Sequence, residues 1–198
     1  MRLIITRHGE TKENKLGIIQ GHLPGKLSDE GTNQAKKVAL RLKNEKIDYI
    51  FSSDLARASD TAKEIAKFHP NAPIKFVKDL RERNLGEFEG KKKSDFGWDA
   101  KDFKATLLTP KKGETIEQLY ARAELFFSKI MPKHHKDTVL LVGHNGINKA
   151  LIAVITGKKH EDIRSIENQH NTSVNIFEID EDKSHKIHAF NCIKHLSD

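Results

Sequence analysis

Cysteine is almost absent: Cys192 stands alone in 198 residues, so no internal disulfide can form and no thiolate cluster can hold zinc. Only 5 prolines and 12 glycines are present, and no repeat, low-complexity tract or Gly/Pro/Ser-rich linker divides the chain, which is expected to be one domain over 1–198. Long apolar runs are missing too. Residues 1–6 are too few for the core of a signal peptide, and nothing approaches the roughly 20 apolar residues of a membrane span. Aromatics are only 7% of the chain and do not interleave with its basic residues, so a base-stacking surface is not expected. These absences predict a cytoplasmic protein with neither membrane nor nucleic acid as partner. What is there is charge, 35 Lys plus Arg against 28 Asp plus Glu for a net +7, which favours small anionic partners.

Short apolar runs alternate with segments of helical period. Leu3-Ile4-Ile5 predicts a first strand, Tyr49-Ile50-Phe51 a second and Ile74-Lys75-Phe76-Val77 a third. Thr138-Val139-Leu140-Leu141-Val142 lacks polar alternation, as expected of a strand buried on both faces of a parallel sheet. Residues 174–179 and 187–190 are near enough to pair as a hairpin. Among the helices, Ala35, Val38, Ala39 and Leu42 share a face after Ser28 as N-cap, and Leu55, Ala58, Ala62 and Ile65 share another. Ile116, Leu119, Ala123, Phe126, Phe127 and Ile130 define the clearest helix, roughly 115–130, closed by Pro132. Leu151, Ile152 and Ile155 mark one more. This alternation predicts an α/β three-layer sandwich, a mostly parallel central sheet with helices on both faces. Residues 91–108 have no period, and 91–112 is expected to form a small insertion capping the substrate site.

The first strand runs into Arg7-His8-Gly9-Glu10-Thr11, the fourth into Gly143-His144-Asn145, and the second into Ser52-Ser53 and then Arg57. Carboxyl ends of parallel strands line the ligand crevice of such folds, so two histidines and two arginines are expected to converge there. Guanidinium forks, positive charge and backbone donors are what a phosphoryl dianion requires.

Arg7-His8-Gly9-Glu10-Thr11 resembles the signature of the histidine phosphatase superfamily, the phosphoglycerate-mutase-like enzymes. Arg-His-Gly-Glu alone would arise by chance in on the order of one chain in a thousand at average residue usage. Further matches follow in family order: Ser52-Ser53-Asp54-Leu55-Ala56-Arg57-Ala58 with Thr61-Ala62, Leu80-Arg81-Glu82 with Gly86 and Glu89-Gly90, then Pro110, Gly113-Glu114 and Val142-Gly143-His144. The resemblance covers nearly the whole chain and implies the fold of the family's small phosphatase branch. It implies that His8 is the nucleophile, forming a phosphohistidine. Arg7, Arg57 and His144 would hold the phosphoryl oxygens with help from Asn14, and Glu82 would be the general acid and then the base. Thr11, Gln20 and Gly21 stand where the family meets the phosphate or the rest of the substrate. Asn145 is counted with them, although it and Glu10 are also read as shaping their loops. A nucleophilic His8 must be neutral, and Arg7 and Arg57 should lower its pKa from the ordinary 6.5 or so. Glu82 must carry a proton as the leaving group departs. Neither a metal nor any other cofactor is implied.

The expected function is therefore a metal-independent phosphomonoesterase for a small phosphorylated metabolite, monomeric or homodimeric. A cofactor-dependent phosphoglycerate mutase is the alternative, but the family's mutases carry a longer insertion after the Glu-Gly pair, whereas 19 residues separate Gly90 from Pro110. A non-catalytic phospholigand-binding relative would be expected to lack the nucleophile or the acid. Nucleic-acid binding driven by net charge would weaken steeply with salt. Lys91, Lys92, Lys93, Lys101, Lys104, Lys111 and Lys112 are read as solvated surface rather than as a collar for multiply charged substrates, and Phe96, Trp98 and Phe103 as anchors of the insertion. Ser28 and Glu114 are read as helix caps, and His134, His135, His185, His188 and His195 as solvent-exposed.

Overall fold

Alternate residues of β1, Arg2–Arg7 in the computed structural model, face two different apolar layers: Leu3 and Ile5 one way, Ile4 the other. β4 (Thr138–Gly143) repeats this, with Val139 and Leu141 opposed to Leu140 and Val142. Burial on both faces is why neither strand alternates with polar residues. The structure describes residues 1–96 and 110–197. β2 (Tyr49–Ser53) and β3 (Ile74–Val77) extend the sheet beyond β4, and β5 (Val174–Ile179) and β6 (His185–Cys192) extend it beyond β1, giving the order β3-β2-β4-β1-β5-β6. The first four of these are mutually parallel. β5 runs antiparallel to β1 and pairs with β6 as the expected hairpin.

The short α1 (Lys12–Lys15) follows β1, and α2 (Asp29–Leu42) and α3 (Ala56–Ala66) cover one face of the sheet, where Val38, Leu42, Ala58 and Ile65 pack on Ile4, Ile50 and Leu140. α4 (Ile116–Ile130) and α5 (Asn145–Ile155) cover the other, with Leu119, Phe126, Ile147 and Leu151 on Leu3, Ile5 and Leu141. The chain is thus the expected mixed α/β sandwich around a six-stranded, mostly parallel sheet. Among the described residues no helix is long and apolar enough to cross a membrane.

Ser28 caps α2 as expected, its Oγ accepting the Gly31 N–H at 2.9 Å. Glu114 does not cap α4. The extended cap position falls one residue later, at Thr115, which forms a capping box with Gln118, while Glu114 takes two bonds from Arg122 at 2.7 and 2.8 Å. His135, His185 and His188 are exposed as expected, but His134 and His195 are half-buried. His134 packs on Tyr49 at 4.2 Å and bonds Asp137 at 2.9 Å. Burial first, then Arg41 and Lys37, lower the His195 pKa to about 4. Phe96 meets Phe88 edge-on at 5.3 Å, tying the start of the insertion to the loop before it. Trp98, Phe103, Lys101, Lys104 and most of the expected insertion lie outside the described residues.

Pairing of Arg7 with Gly143 sets the ends of β1 and β4 level, and the His8 N–H continues the ladder to the Gly143 carbonyl at 3.0 Å. His8 and His144 are thereby neighbours by register. Behind them the first turn of α2 presses on the loop after His8: a Cβ at Gly31 would overlap the Glu10 carbonyl. The backbone there cannot move without shifting His8, so Gly31→Ala should cost about 2 kcal/mol and lower Tm by roughly 4–8 °C, measurable by thermal unfolding.

Candidate active site

A cavity of about 470 Å³ opens at the carboxyl ends of β1 and β4, with Arg7, His8, Arg57 and Glu82 in its wall. Asn14, Gln20, Gly21 and Asn145 also line it. His8 is buried, and its Nδ1 lies 2.7 Å from the Gly9 carbonyl oxygen. A carbonyl only accepts, so Nδ1 carries the hydrogen and the lone pair is left on Nε2. Burial first, then Arg57 and Arg7, hold the His8 pKa well below its ordinary value, which keeps the imidazole neutral. The arginine effect anticipated from sequence is present, but loss of hydration is the larger cause.

His144 is the N-cap residue of α5 and is fully buried behind the cavity wall. Its ring centroid is 5.0 Å from that of His8. Arg57 Nε donates to His144 Nδ1 at 3.2 Å, which places the hydrogen of the neutral ring on Nε2. That Nε2 is a buried donor with no partner among the described residues, as is Arg7 Nε. Two unspent donors beside a neutral imidazole suit the binding of an oxyanion. Burial, then Arg57 and His8, also hold the His144 pKa well below normal.

The two arginines are fixed by backbone carbonyls. Arg7 Nη1 donates to Gln169 at 2.7 Å, and Arg57 donates to Leu23 at 2.7 Å and Gly21 at 2.8 Å. Burial brings the Arg57 pKa down to about 10, so it remains a cation at neutral pH. The Gly21 role is thus partly that of a carbonyl acceptor, made possible by its φ of +50°; a Cβ there would overlap the Glu89 carboxylate.

Glu82 is held at the amino end of α5. Its Oε1 accepts the Gly146 N–H at 2.9 Å and the Arg83 N–H at 2.9 Å, and Oε2 accepts from Gly146 at 3.2 Å. The loop that carries it is gripped by Arg122, which donates to the carbonyls of Asp79 at 2.6 Å, Arg81 at 2.9 Å and Glu82 at 3.3 Å. His22 Nε2 donates to the same Glu82 carbonyl at 2.8 Å.

Thr11 is brought near these groups but not into the cavity wall: it is fully buried, and its hydroxyl caps α1 by accepting the Asn14 N–H at 3.0 Å. Asn145 is engaged at both ends, accepting from Gln169 N at 2.8 Å and donating to Asn168 at 3.4 Å, so it shapes its loop as well as lining the site. Glu10 shapes its loop too, accepting the Ser28 hydroxyl at 2.7 Å. Lys93 departs from the solvated-surface reading: it is half-buried and lines the cavity. Sequence reasoning missed Lys149, Arg83, Arg164 and Asn168, which also line the cavity, and missed Arg122. Lys149 left one signal, a lysine inside a helix otherwise buried and mostly apolar over 147–155. Arg122 left none, because an arginine on the outer side of an amphipathic helix is ordinary.

A neutral imidazole with its Nε2 lone pair unspent, two fixed guanidinium groups, unspent N–H donors and a carboxylate facing them suit phosphoryl transfer on an α/β sandwich. The chain belongs to the histidine phosphatase superfamily (branch 1), whose family model matches residues 3–192. It is 34% identical over 204 residues to phosphoglycerate mutase-like protein 4 of Arabidopsis thaliana, covering 99% of this chain and 87% of that one. It is also 34% identical, over 98% of this chain and 83% of the relative, to a metal-independent phosphoserine phosphatase of Arabidopsis thaliana. Among solved structures, a mycobacterial glucosyl-3-phosphoglycerate phosphatase complexed with VO3 superposes with a TM-score of 0.87 at 25% identity, covering 97% of this chain and 99% of that one. The protein is accordingly a phosphoric monoester hydrolase, a phosphatase of small metabolites.

Proposed function

We propose that this phosphatase works without metal, through a phosphohistidine on His8. The observation that carries the reading is the Nδ1 contact with the Gly9 carbonyl, which turns the Nε2 lone pair into the ring's only nucleophilic position. His8 Nε2 bonds to phosphorus in line as the phosphorus–ester oxygen bond breaks, and Glu82 gives its proton to the departing oxygen. Water then attacks phosphorus on the opposite side from Nε2, Glu82 takes its proton, and the nitrogen–phosphorus bond breaks to release inorganic phosphate. Arg7, Arg57 and the His144 Nε2–H neutralise the charge that spreads over the equatorial oxygens. Among the described residues no group of three or more His, Cys, Asp or Glu side chains could hold a metal ion, and the site already supplies two fixed cations of its own.

The test is p-nitrophenyl phosphate hydrolysis in excess EDTA, with alkali-quenched trapping of phosphoprotein. Turnover that EDTA leaves within twofold, together with an acid-labile, alkali-stable phosphoprotein, is the expected result. Loss of activity in EDTA restored by a divalent cation would overturn metal independence. An absolute need for 2,3-bisphosphoglycerate would reassign the protein as a mutase.

A further inference from the structure

The cavity wall holds a cation to which the proposed phosphoryl transfer gives no role. Lys149 is only 5% exposed, yet it lines the cavity. Among the described residues its one hydrogen bond is long, 3.4 Å from Nζ to Asn168 Oδ1, and it joins no ion pair. A buried ammonium so poorly compensated is costly. Burial brings its pKa down to about 8 although Glu82 acts to raise it, so it is still mostly cationic at pH 7.

Its position relative to the acid gives that cation a use. The ester oxygen of a bound substrate must face Glu82, whose carboxylate is fixed by Gly146 in the first turn of α5. Lys149 lies on the same face of α5 as Asn145 and one turn further on, a rise of about 6 Å. Leaving-group atoms that extend from the ester oxygen along α5 would meet its ammonium. Asn145 and Lys149 both donate to Asn168 Oδ1, so the ammonium sits beside two carboxamides. One positive charge flanked by neutral amides matches a monoanion with two acceptor oxygens. The cavity's other cations are engaged or turned elsewhere: Arg83 donates to the Glu114 carbonyl at 2.6 Å, Arg164 is exposed, and half-buried Lys93 is close enough to Arg7 for that charge to add to burial in lowering the Lys93 pKa.

We propose that Lys149 selects a carboxylate, and that the natural substrate is a phosphomonoester whose leaving group carries one. This deepens the phosphohistidine reading and rests on it. The experiment compares matched pairs that differ in the carboxylate: O-phosphoserine against phosphoethanolamine, and 3-phosphoglycerate against glycerol 3-phosphate. Wild type should favour the carboxylate member of at least one pair by about 10- to 100-fold in kcat/KM, mostly through KM, the scale of a charge-assisted hydrogen bond. Lys149→Met should bring that ratio to within threefold of one, and Lys149→Arg should keep part of it. In wild type the preference should also decline above pH 8 as the ammonium loses its proton, which provides a readout even if Lys149→Met does not fold.

No preference by wild type in either pair would overturn the proposal. So would a Lys149→Met variant that slows both members of a pair equally, since Lys149 would then act on Glu82 or on the fold. A preference for fructose 1,6-bisphosphate over fructose 6-phosphate that disappears in Lys149→Met would assign a second phosphoryl group instead and overturn the carboxylate. Absence of any turnover would count against the phosphohistidine reading, not this one. Calorimetric binding of the same pairs to wild type and Lys149→Met then decides it by the same ratios.

Discussion

His8→Ala should lower kcat by at least about 10⁴-fold for every phosphomonoester and abolish the acid-labile phosphoprotein, because no other group in the site offers a lone pair at that position. The arginines do not depend on His8 for their positions. Arg7 is held by the Gln169 carbonyl and Arg57 by those of Leu23 and Gly21, so the variant should still bind inorganic phosphate with affinity within a few-fold of wild type. Rapid-quench turnover and equilibrium phosphate binding separate the two effects. A variant retaining a tenth of the activity would show that His8 is not the nucleophile. The depressed pKa of His8 adds a pH signature. The imidazole stays neutral well below pH 6.5, so protonation of His8 should not produce an acid limb of kcat/KM near that value. The same depression has a consequence for stability. Below about pH 6.5 the unfolded chain binds protons at His8 and His144 that the folded chain does not, so stability contributed above that pH is lost as pH falls. Each group adds up to about 1.4 kcal/mol per pH unit to the slope. Denaturant titrations between pH 5 and 7 should show a shallower slope in His8→Ala than in wild type.

The parts of this molecule readable from sequence are those whose physics is local. The unbroken apolar run of β4 announces a strand covered on both sides, and the period of α4 announces its buried face, since each pattern needs only neighbours along the chain. His8, Arg57 and His144 were readable for another reason: strand ends in a parallel sheet converge wherever the loops go. Residues whose role depends on a partner far along the chain were not. Arg122 looks like solvated charge until the loop around Glu82 folds over it, and Glu114 looks like a cap until Arg122 reaches it, eight residues on. In sequence Thr11 reads as meeting the phosphate or the rest of the substrate, whereas the structure makes it the cap of α1, a helix too short to leave a period, and keeps it out of the cavity wall. Lys149 was the informative exception, because a lysine among Ile147, Ala150, Leu151 and Ile152 is a local inconsistency, and such conflicts are expected where function is carried.

Glu82→Gln should lower kcat/KM for alkyl phosphates by about 10²- to 10⁴-fold while lowering it far less for p-nitrophenyl phosphate. An alkoxide is too basic to leave without a proton, whereas nitrophenolate is a stable anion, so the cost of removing the acid scales with leaving-group basicity. The substitution suits the site. A glutamine oxygen at the Oε1 position keeps both 2.9 Å bonds, from Gly146 and Arg83, and only the 3.2 Å contact at Oε2 is lost. Fold and phosphate affinity should therefore survive, and the loop remains gripped by Arg122. The measurement is kcat/KM across aryl and alkyl phosphates of graded leaving-group acidity, for wild type and variant. Wild type should show a shallow dependence because protonation keeps pace with bond cleavage, and the variant a steep one. The second half-reaction is also informative. Water attack on the phosphohistidine needs the same residue as base, so with p-nitrophenyl phosphate the variant should form phosphoenzyme at nearly the wild-type rate and accumulate it, giving a burst of nitrophenolate followed by slow turnover. Parallel slopes for the two proteins, or no burst, would mean that another group moves the proton and that the Gly146 and Arg83 amides hold Glu82 for a structural reason alone.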